Sequence, residues 1–481
     1  MFSLKFLYEN PIGALITKHR SRKGEVVRAS KCFSSISDPL WESYVRSIPQ
    51  AQYYRNVLMQ GYFVPPSILE GLENFEIRPH DIFIITYPKS GTTWTEEIIS
   101  LIYNGGDTKK VQKKLLIFRV HHLEVGRPIG HLRFLRKLRS PRLMATHLPL
   151  DLIPKQLREA QCKVIYVMRN PKDNVVSYYH HHQISTSLGN YTGSWDDFLT
   201  LFLKGHLVYG SWFDHVLSYW KFHQQHPEKV LFISYEELKM DLERMIERIA
   251  NFLDRPLHPE AIKNIAHHCS FDQMKNNNMV NREQLPVTDF FNMSHTKFMR
   301  KGIIGDWKNY FTPEQNETFE KVCKEKMAGS GLHLVFEPSD AYKRMQAHGR
   351  IIDSPNRSCE ELDSVSDHNY NELESETKLS DTATSCATHI YAQLPNKDFP
   401  ETERNTKRSD VLAVNGNEYL ENLEFAENMN LYESIRETSN TGFSESVFVS
   451  KFSKSQEPKE HNGQCTNDII DYTDNSIYGQ I

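Results

Sequence analysis

Residues 86–94 read Thr86-Tyr87-Pro88-Lys89-Ser90-Gly91-Thr92-Thr93-Trp94, and the fold turns on what they join. Before them, Asp81 to Thr86 (DIFIIT) is a short β-branched run of the kind that forms a strand buried on both faces. After them, Trp94, Ile98, Ile99 and Ile102 recur at helical spacing. Between strand and helix, Gly91 allows close approach of the backbone to a ligand, and the free N–H groups of the helix start favour an oxyanion there. Lys89 adds a point charge, and the Thr92 and Thr93 hydroxyls add neutral donors. The pattern GxxxxGK[ST] is not matched, because the lysine precedes the single glycine. Taken alone, the stretch fits an ordinary strand-to-helix turn as well as an anion cradle.

Outward from this loop, the 481 residues divide unevenly. All six Trp lie at or before Trp307. Residues 351–481 hold 10 Lys+Arg and 25 Asp+Glu, a formal −15, so the net −4 of the chain leaves +11 on residues 1–350. The second part, rich in Ser, Thr, Asn and Glu, reads as a disordered acidic tail, and the first has the aromatics and the alternation needed for a core. The boundary is expected near residues 340–352. Residues 1–37 read as an unstructured extension, with a targeting leader as the alternative, since Lys5, Glu9, Asn10 and Pro11 interrupt any apolar region. The positive excess suits a small anionic ligand and is too weak to argue for nucleic acid. Seven cysteines, odd in number and without CxxC spacing, read as reduced thiols in a cytoplasmic protein. No run approaches the roughly 18 apolar residues of a membrane span.

Residues 38–74, with scattered aromatics and a short helix from Ser67 to Asn74, are expected to cap the core. Residues 107–141 are basic and weakly patterned, with Arg119, His121, His122, Arg127, Arg133, Arg136, Lys137 and Arg139. They fit a lid over a pocket or, more plainly, a solvated basic face. The run SPRLMATHLP is strand-like up to His147, which places that imidazole at a strand's C-terminal end, where open α/β sheets bind ligands. Cys162 to Met168 (CKVIYVM) is a second buried strand. Arg169 lies at its end, Asn170 is a good N-cap, Pro171 a good first helical residue, and Ser177 falls about two turns along the helix. A guanidinium and a hydroxyl so placed make a reasonable phosphate pair. His180-His181-His182 does not read as a metal site, because adjacent helical positions point about 100° apart. Residues 195–228 read as aromatic core helices, VLFIS (230–234) as a third strand, and Tyr235 onward as a long helix to about Leu253. His267-His268-Cys269 lacks a fourth zinc ligand and good spacing. Phe298-Met299-Arg300-Lys301-Gly302 is a basic turn. Strands alternating with helices imply a mostly parallel sheet with right-handed crossovers.

Taken together, TYPKSGTTW, SPRLxxTHLP, YVMRNPKDNVVSYYH, SYEEL, SFDQM and FMRKGIIGDWKNYFTPEQNE, in this order across roughly residues 38–337, resemble the cytosolic sulfotransferase family. The resemblance implies a P-loop-like three-layer α/β fold with a mostly parallel central sheet flanked by helices. It implies transfer of a sulfuryl group from 3′-phosphoadenosine 5′-phosphosulfate (PAPS) to a hydroxyl or amine of a small, largely apolar acceptor such as a phenol, alcohol, steroid or amine, without a metal. It assigns His147 as general base and Lys89 to the charge on the leaving phosphate. Lys89, Ser90, Gly91, Thr92 and Thr93 would hold the 5′-phosphate. Arg169, Ser177 and the turn Arg300, Lys301, Gly302 would hold the 3′-phosphate, with Phe298 and Met299 beside them also binding the cofactor. Trp94 and Phe271 would sandwich the adenine, with Tyr235, Cys269, Ser270 and Met274 lining the nucleoside.

Three positions depart from the family pattern. Ala145 stands where a lysine is usual, Cys269 where threonine is common, and Pro313 in the Lys308–Glu317 segment that resembles the family's dimer motif. The family pattern does not account for the tail, which carries Tyr370-Leu373, Tyr391-Leu394, Tyr432-Ile435 and Tyr478-Ile481 as Tyr-x-x-Leu/Ile tetrapeptides. Phosphorylated, these would suit phosphotyrosine-reading partners; chance occurrence in a polar tail is the plainer reading. An active sulfotransferase and a nucleotide-binding regulatory protein signalling through the tail are therefore the two function classes. A kinase is disfavoured by the loop order and the lack of an evident magnesium carboxylate.

Overall fold

Strand and helix alternate along the chain because short β-branched runs bounded by turn residues are followed by capped amphipathic segments. The computed structural model describes residues 26–29, 38–126, 132–283, 290–294 and 296–352. The tyrosine tetrapeptides, Arg127 and residues 1–25 lie outside them. The strands are β1 (Val26–Arg28), β2 (Gln52–Tyr54), β3 (Val57–Met59), β4 (Ile82–Thr86), β5 (His121–His122), β6 (Leu143–Thr146), β7 (Lys163–Met168) and β8 (Val230–Ser234). The first three form an antiparallel sheet, and the others a sheet in the order β5-β6-β4-β7-β8 in which every neighbouring pair is parallel.

The main sheet separates two apolar layers, and the residues alternate between them strand by strand. Phe83, Ile85, Met144, Val164, Tyr166, Val230 and Phe232 face the layer that holds the helices Pro171–Ile184, Trp195–Leu203 and Trp212–Gln225. Ile84, Ala145, Ile165, Val167, Leu231 and Ile233 face the layer of Thr92–Tyr103, Leu242–Phe252 and Pro259–His268. Each fully buried side chain of this size contributes about 1.5–3 kcal/mol, so a one-residue slip of any central strand would exchange both layers. Three layers around a parallel sheet is the architecture expected from the sequence.

After β4 the chain builds one side of the sheet (β5, β6) and then the other (β7, β8), which makes the C-terminal edge of β4 the topological switch point. Asp81, which precedes β4, forms a fully buried bidentate pair with Arg142, which precedes β6. This pair ties the opposite ends of the same two strands.

Several local expectations differ from the structure. Residues 107–141 are not a uniformly solvated face: they contain the helices Thr108–Val111 and Leu132–Lys137 and the edge strand β5. Arg119 is buried against Glu97 at 2.6 Å and Ser100 at 2.6 Å, whereas Arg133, Arg136, Lys137 and Arg139 are exposed. The long helix after Tyr235 is two, Tyr235–Met240 and Leu242–Phe252, because the Asp241 side chain caps the second through Arg244 N–H. Within the stretch expected to lack structure, Val26–Arg28 pairs with β2. At the other boundary, the helix Pro338–His348 is followed by buried Ile351 and Ile352, whose N–H groups donate to Glu237 Oε1 at 3.0 and 3.3 Å. Pro313 occupies the first position of the helix Pro313–Met327, behind a Thr312–Gln315 capping box, where a missing N–H leaves no helical bond unmade.

Candidate active site

The loop after β4 is held in an unusual backbone path. Gly91 has φ +107° and is the N-cap of the helix Thr92–Tyr103; Lys89, with φ +69°, takes the left-handed region that disfavours side chains. The Asn174 side chain holds this shape from outside, donating to Pro88 O at 2.9 Å and Ser90 Oγ at 3.0 Å. The Thr92 hydroxyl lies 2.7 Å from that of Thr86. Lys89 Nζ lies 4.3 Å from the Phe298 ring centroid, and among the described residues no carboxylate pairs with it. Burial, followed by the neighbouring Arg282, Arg169 and Arg300, lowers its pKa to about 7.

β6 runs beside β4 and delivers His147 to the same edge. Its backbone N–H donates to Glu124 Oε1 at 2.9 Å, and its Nδ1 lies 2.9 Å from the Thr86 carbonyl oxygen. A carbonyl can only accept, so Nδ1 carries the proton and Nε2 keeps a lone pair. Burial, reinforced by His122, lowers the imidazole pKa to about 3, so the ring is neutral and Nε2 keeps its lone pair.

On the other side of β4, Arg169 follows β7. Its guanidinium stacks 4.4 Å from the Tyr235 ring centroid and donates to Lys89 O and Ile303 O, each at 3.3 Å, while its buried Nε has no partner. The turn 298–302 is fixed through Asp306, which pairs with Arg300 at 2.5 Å and Lys301 at 2.6 Å. Asp173 accepts from the N–H groups of Gly305 at 2.7 Å and Trp307 at 2.9 Å, so one turn of the helix Pro171–Ile184 carries both Asp173 and Asn174. Trp94 Nε1 donates to Cys269 O at 2.8 Å, and Phe271 lies against Gly302, where any Cβ would meet its ring at 2.3 Å.

These groups line a single cavity of about 310 Å³. Beyond His147 its wall is built by Phe63, Ile117, Val120, Val125, Leu188, Tyr209, Phe290 and Phe291, together with His122, Lys239 and Arg282, three basic groups that sequence reasoning did not single out for the site. His122 and Glu96 form a pair at 2.8 Å, and Arg282 lies 3.9 Å from Glu96. Burial works against both ionised forms, but their mutual attraction prevails, so the Glu96 pKa is lowered and that of His122 raised.

The model of the family described as "Sulfotransferase domain" matches residues 79–331, just over half of the chain. The chain belongs to the sulfotransferase family. Mouse (Mus musculus) sulfotransferase 1B1 is 47% identical over 268 residues, which are 55% of this chain and 88% of the relative. Bovine (Bos taurus) sulfotransferase 1A1 is 44% identical over 294 residues, 60% of this chain and 97% of the relative. The crystal structure of retinol dehydratase in complex with androsterone and inactive cofactor PAP aligns with a TM-score of 0.56 at 25% identity, covering 64% of this chain and 98% of that one. The protein is a sulfotransferase enzyme, of a family whose members act on small-molecule acceptors.

Of the residues the sequence singled out, Lys89, Gly91, Thr92, Thr93, Trp94, His147, Arg169, Ser177, Tyr235, Cys269, Phe271, Met274, Phe298, Met299, Arg300 and Gly302 line the sulfotransferase cavity. Ser90 points its hydroxyl to Asn174, Lys301 pairs with Asp306, and Ser270 sits at the N-cap position of the helix Phe271–Lys275 without a side-chain capping bond, so these three are not among the lining residues. Ala145 is fully buried in the apolar layer against Thr92–Tyr103. His180 meets Tyr310 at 2.7 Å and His182 meets Tyr44 at 2.9 Å, while His181 lines the cavity, so the three imidazoles diverge. Among the described residues no helix is long and apolar enough to cross a membrane.

Proposed function

We propose that this sulfotransferase uses PAPS as donor and sulfates a hydroxyl or amine of a small, largely apolar acceptor, with His147 as the base. The observation that carries the reading is the Nδ1 contact to the Thr86 carbonyl, which leaves Nε2 free beside the anion loop. The cavity suits the donor at three places: loop N–H groups and Lys89 without a carboxylate, the orphaned Nε of Arg169, and the Trp94, Phe271 and Tyr235 rings between them.

When bound, PAPS supplies the sulfuryl group. His147 takes the acceptor's proton on Nε2 as the acceptor oxygen or nitrogen forms its bond to sulfur. The bond from sulfur to the bridging oxygen breaks, its electron pair leaves on the 5′-phosphate of PAP, and Lys89 and the loop N–H groups meet that charge. The apolar walls fed by residues 60–63, 117–125 and 185–188 hold the acceptor body. Sulfate transfer from labelled PAPS to a panel of phenols, alcohols and amines tests the reading. His147→Ala should reduce turnover about 10²–10⁴-fold while PAP binding persists. Turnover unchanged by the substitution would remove His147 as the base.

A further inference from the structure

Arg282 is a charged group of the cavity that the reaction above leaves unused, and its surroundings are those of a cation awaiting an anion. Its Nε is buried without a hydrogen-bond partner. Its Nη2 reaches Thr93 Oγ1 only at 3.5 Å and Glu96 Oε2 only at 3.9 Å, and Glu96 already binds His122 at 2.8 Å through its other oxygen. The guanidinium lies 4.9 Å from the centroid of the Phe298 ring, and Lys89 Nζ lies 4.3 Å from the same centroid. Two cations thus border one ring, and the carboxylate near Arg282, Glu96, is shared with His122. Like charges so close disfavour one another, and Arg282 is the strongest of the cationic neighbours that depress the Lys89 pKa. An anion placed between the two would relieve the repulsion.

Position says which anion. Through Thr93, Arg282 touches the loop that would receive the 5′-phosphate. Through Glu96 it joins His122, whose ring centroid is 5.3 Å from that of His147. It therefore spans the gap between the phosphate loop and the base, where the group in transit must pass. We propose that Arg282 is a catalytic residue that grips the sulfuryl oxygens of the donor from the side opposite Lys89, with Glu96 as its positioning residue. This rests on the donor reading given above. In the transfer Arg282 neither gains nor loses a proton. Its N–H groups hold the sulfuryl oxygens while sulfur passes from the bridging oxygen to the acceptor and His147 takes the acceptor proton.

PAP and PAPS differ by the sulfuryl group, so the pair isolates the contact. Titration calorimetry with each nucleotide, on the full chain without acceptor, should give R282M an affinity for PAP within about twofold of wild type. Its affinity for PAPS should fall about tenfold or more, the loss of a charge-assisted hydrogen bond. Turnover should fall about 10²-fold, and R282K should recover part of both losses. Retained PAP binding also reports a folded site. Equal losses of PAP and PAPS would assign Arg282 to a phosphate and overturn the proposal. So would unchanged binding of both with a raised KM confined to acceptors that carry a carboxylate. A wild-type chain that binds neither nucleotide would overturn the donor reading itself, and the proposal with it.

Discussion

Replacing Lys89 with Arg should abolish most of the proton uptake that accompanies nucleotide binding. Burial and the cations Arg282, Arg169 and Arg300 disfavour the ammonium, and the pKa falls to about 7. Nucleotide phosphates favour the ammonium, so its pKa rises on binding and the site takes up a proton wherever Lys89 was neutral. The sign follows: affinity is full below pH 7 and is lost as pH rises above it. With a free-site pKa of about 7, binding draws in ~0.1 proton at pH 6, ~0.5 at pH 7 and ~0.9 at pH 8, and the apparent Kd rises about tenfold from pH 6 to pH 8. Calorimetry of PAP binding in buffers of different ionisation enthalpy measures the uptake directly. An arginine stays charged throughout, so K89R should lose this component and keep whatever His122 and the nucleotide's own phosphates contribute. A wild-type Kd that stays flat from pH 6 to pH 8, or K89R with the same uptake as wild type, would refute the reasoning.

Arg142→Ala would strand the buried Asp81 carboxylate and free the carbonyls of Leu135 and Glu76, so it should destabilise the fold by about 3–5 kcal/mol in denaturant titrations. Removing both charges together, as Asp81→Leu with Arg142→Met, should cost less than Arg142→Ala alone. Gly302→Ala would force a side chain into the left-handed region at φ +66° and against the Phe271 ring. It should weaken PAP binding roughly tenfold or more through strain and ring displacement, with a smaller effect on the unfolding midpoint.

The sheet was legible because β4, β7 and β8 are short, largely apolar runs of five or six residues, and because the candidate site residues follow their ends directly: the loop 87–91 after Thr86, Arg169 after Met168, Tyr235 after Ser234. His147 was legible for the same reason, at the end of β6. β5 was not, since a strand of two histidines carries no apolar signal, and its place comes from pairing His121 and His122 with Met144 and Ala145. Arg119 looked solvated because nothing local reveals that Glu97, 22 residues earlier on the helix Thr92–Tyr103, is its partner. Arg282 was hidden in a polar, Asn-rich stretch, and its partners Thr93 and Glu96 lie nearly 190 residues earlier. Such charges acquire their meaning only from tertiary neighbours.

Asp173 and Asn174 are consecutive residues, yet one fixes the segment that follows the turn 298–302 and the other fixes the loop 88–90. The helical turn they share therefore acts as a caliper set to one molecular length. On the donor reading proposed above, a nucleotide with phosphates at both ends would close the caliper, and once one end had bound, the second would meet its site at high effective concentration. A nucleotide with phosphates on the 5′ side alone would fill one jaw and forgo that gain, however many phosphates it carries. Selection by length in this way needs no base-specific hydrogen bond, and it would let the enzyme ignore an excess of ordinary nucleoside triphosphates.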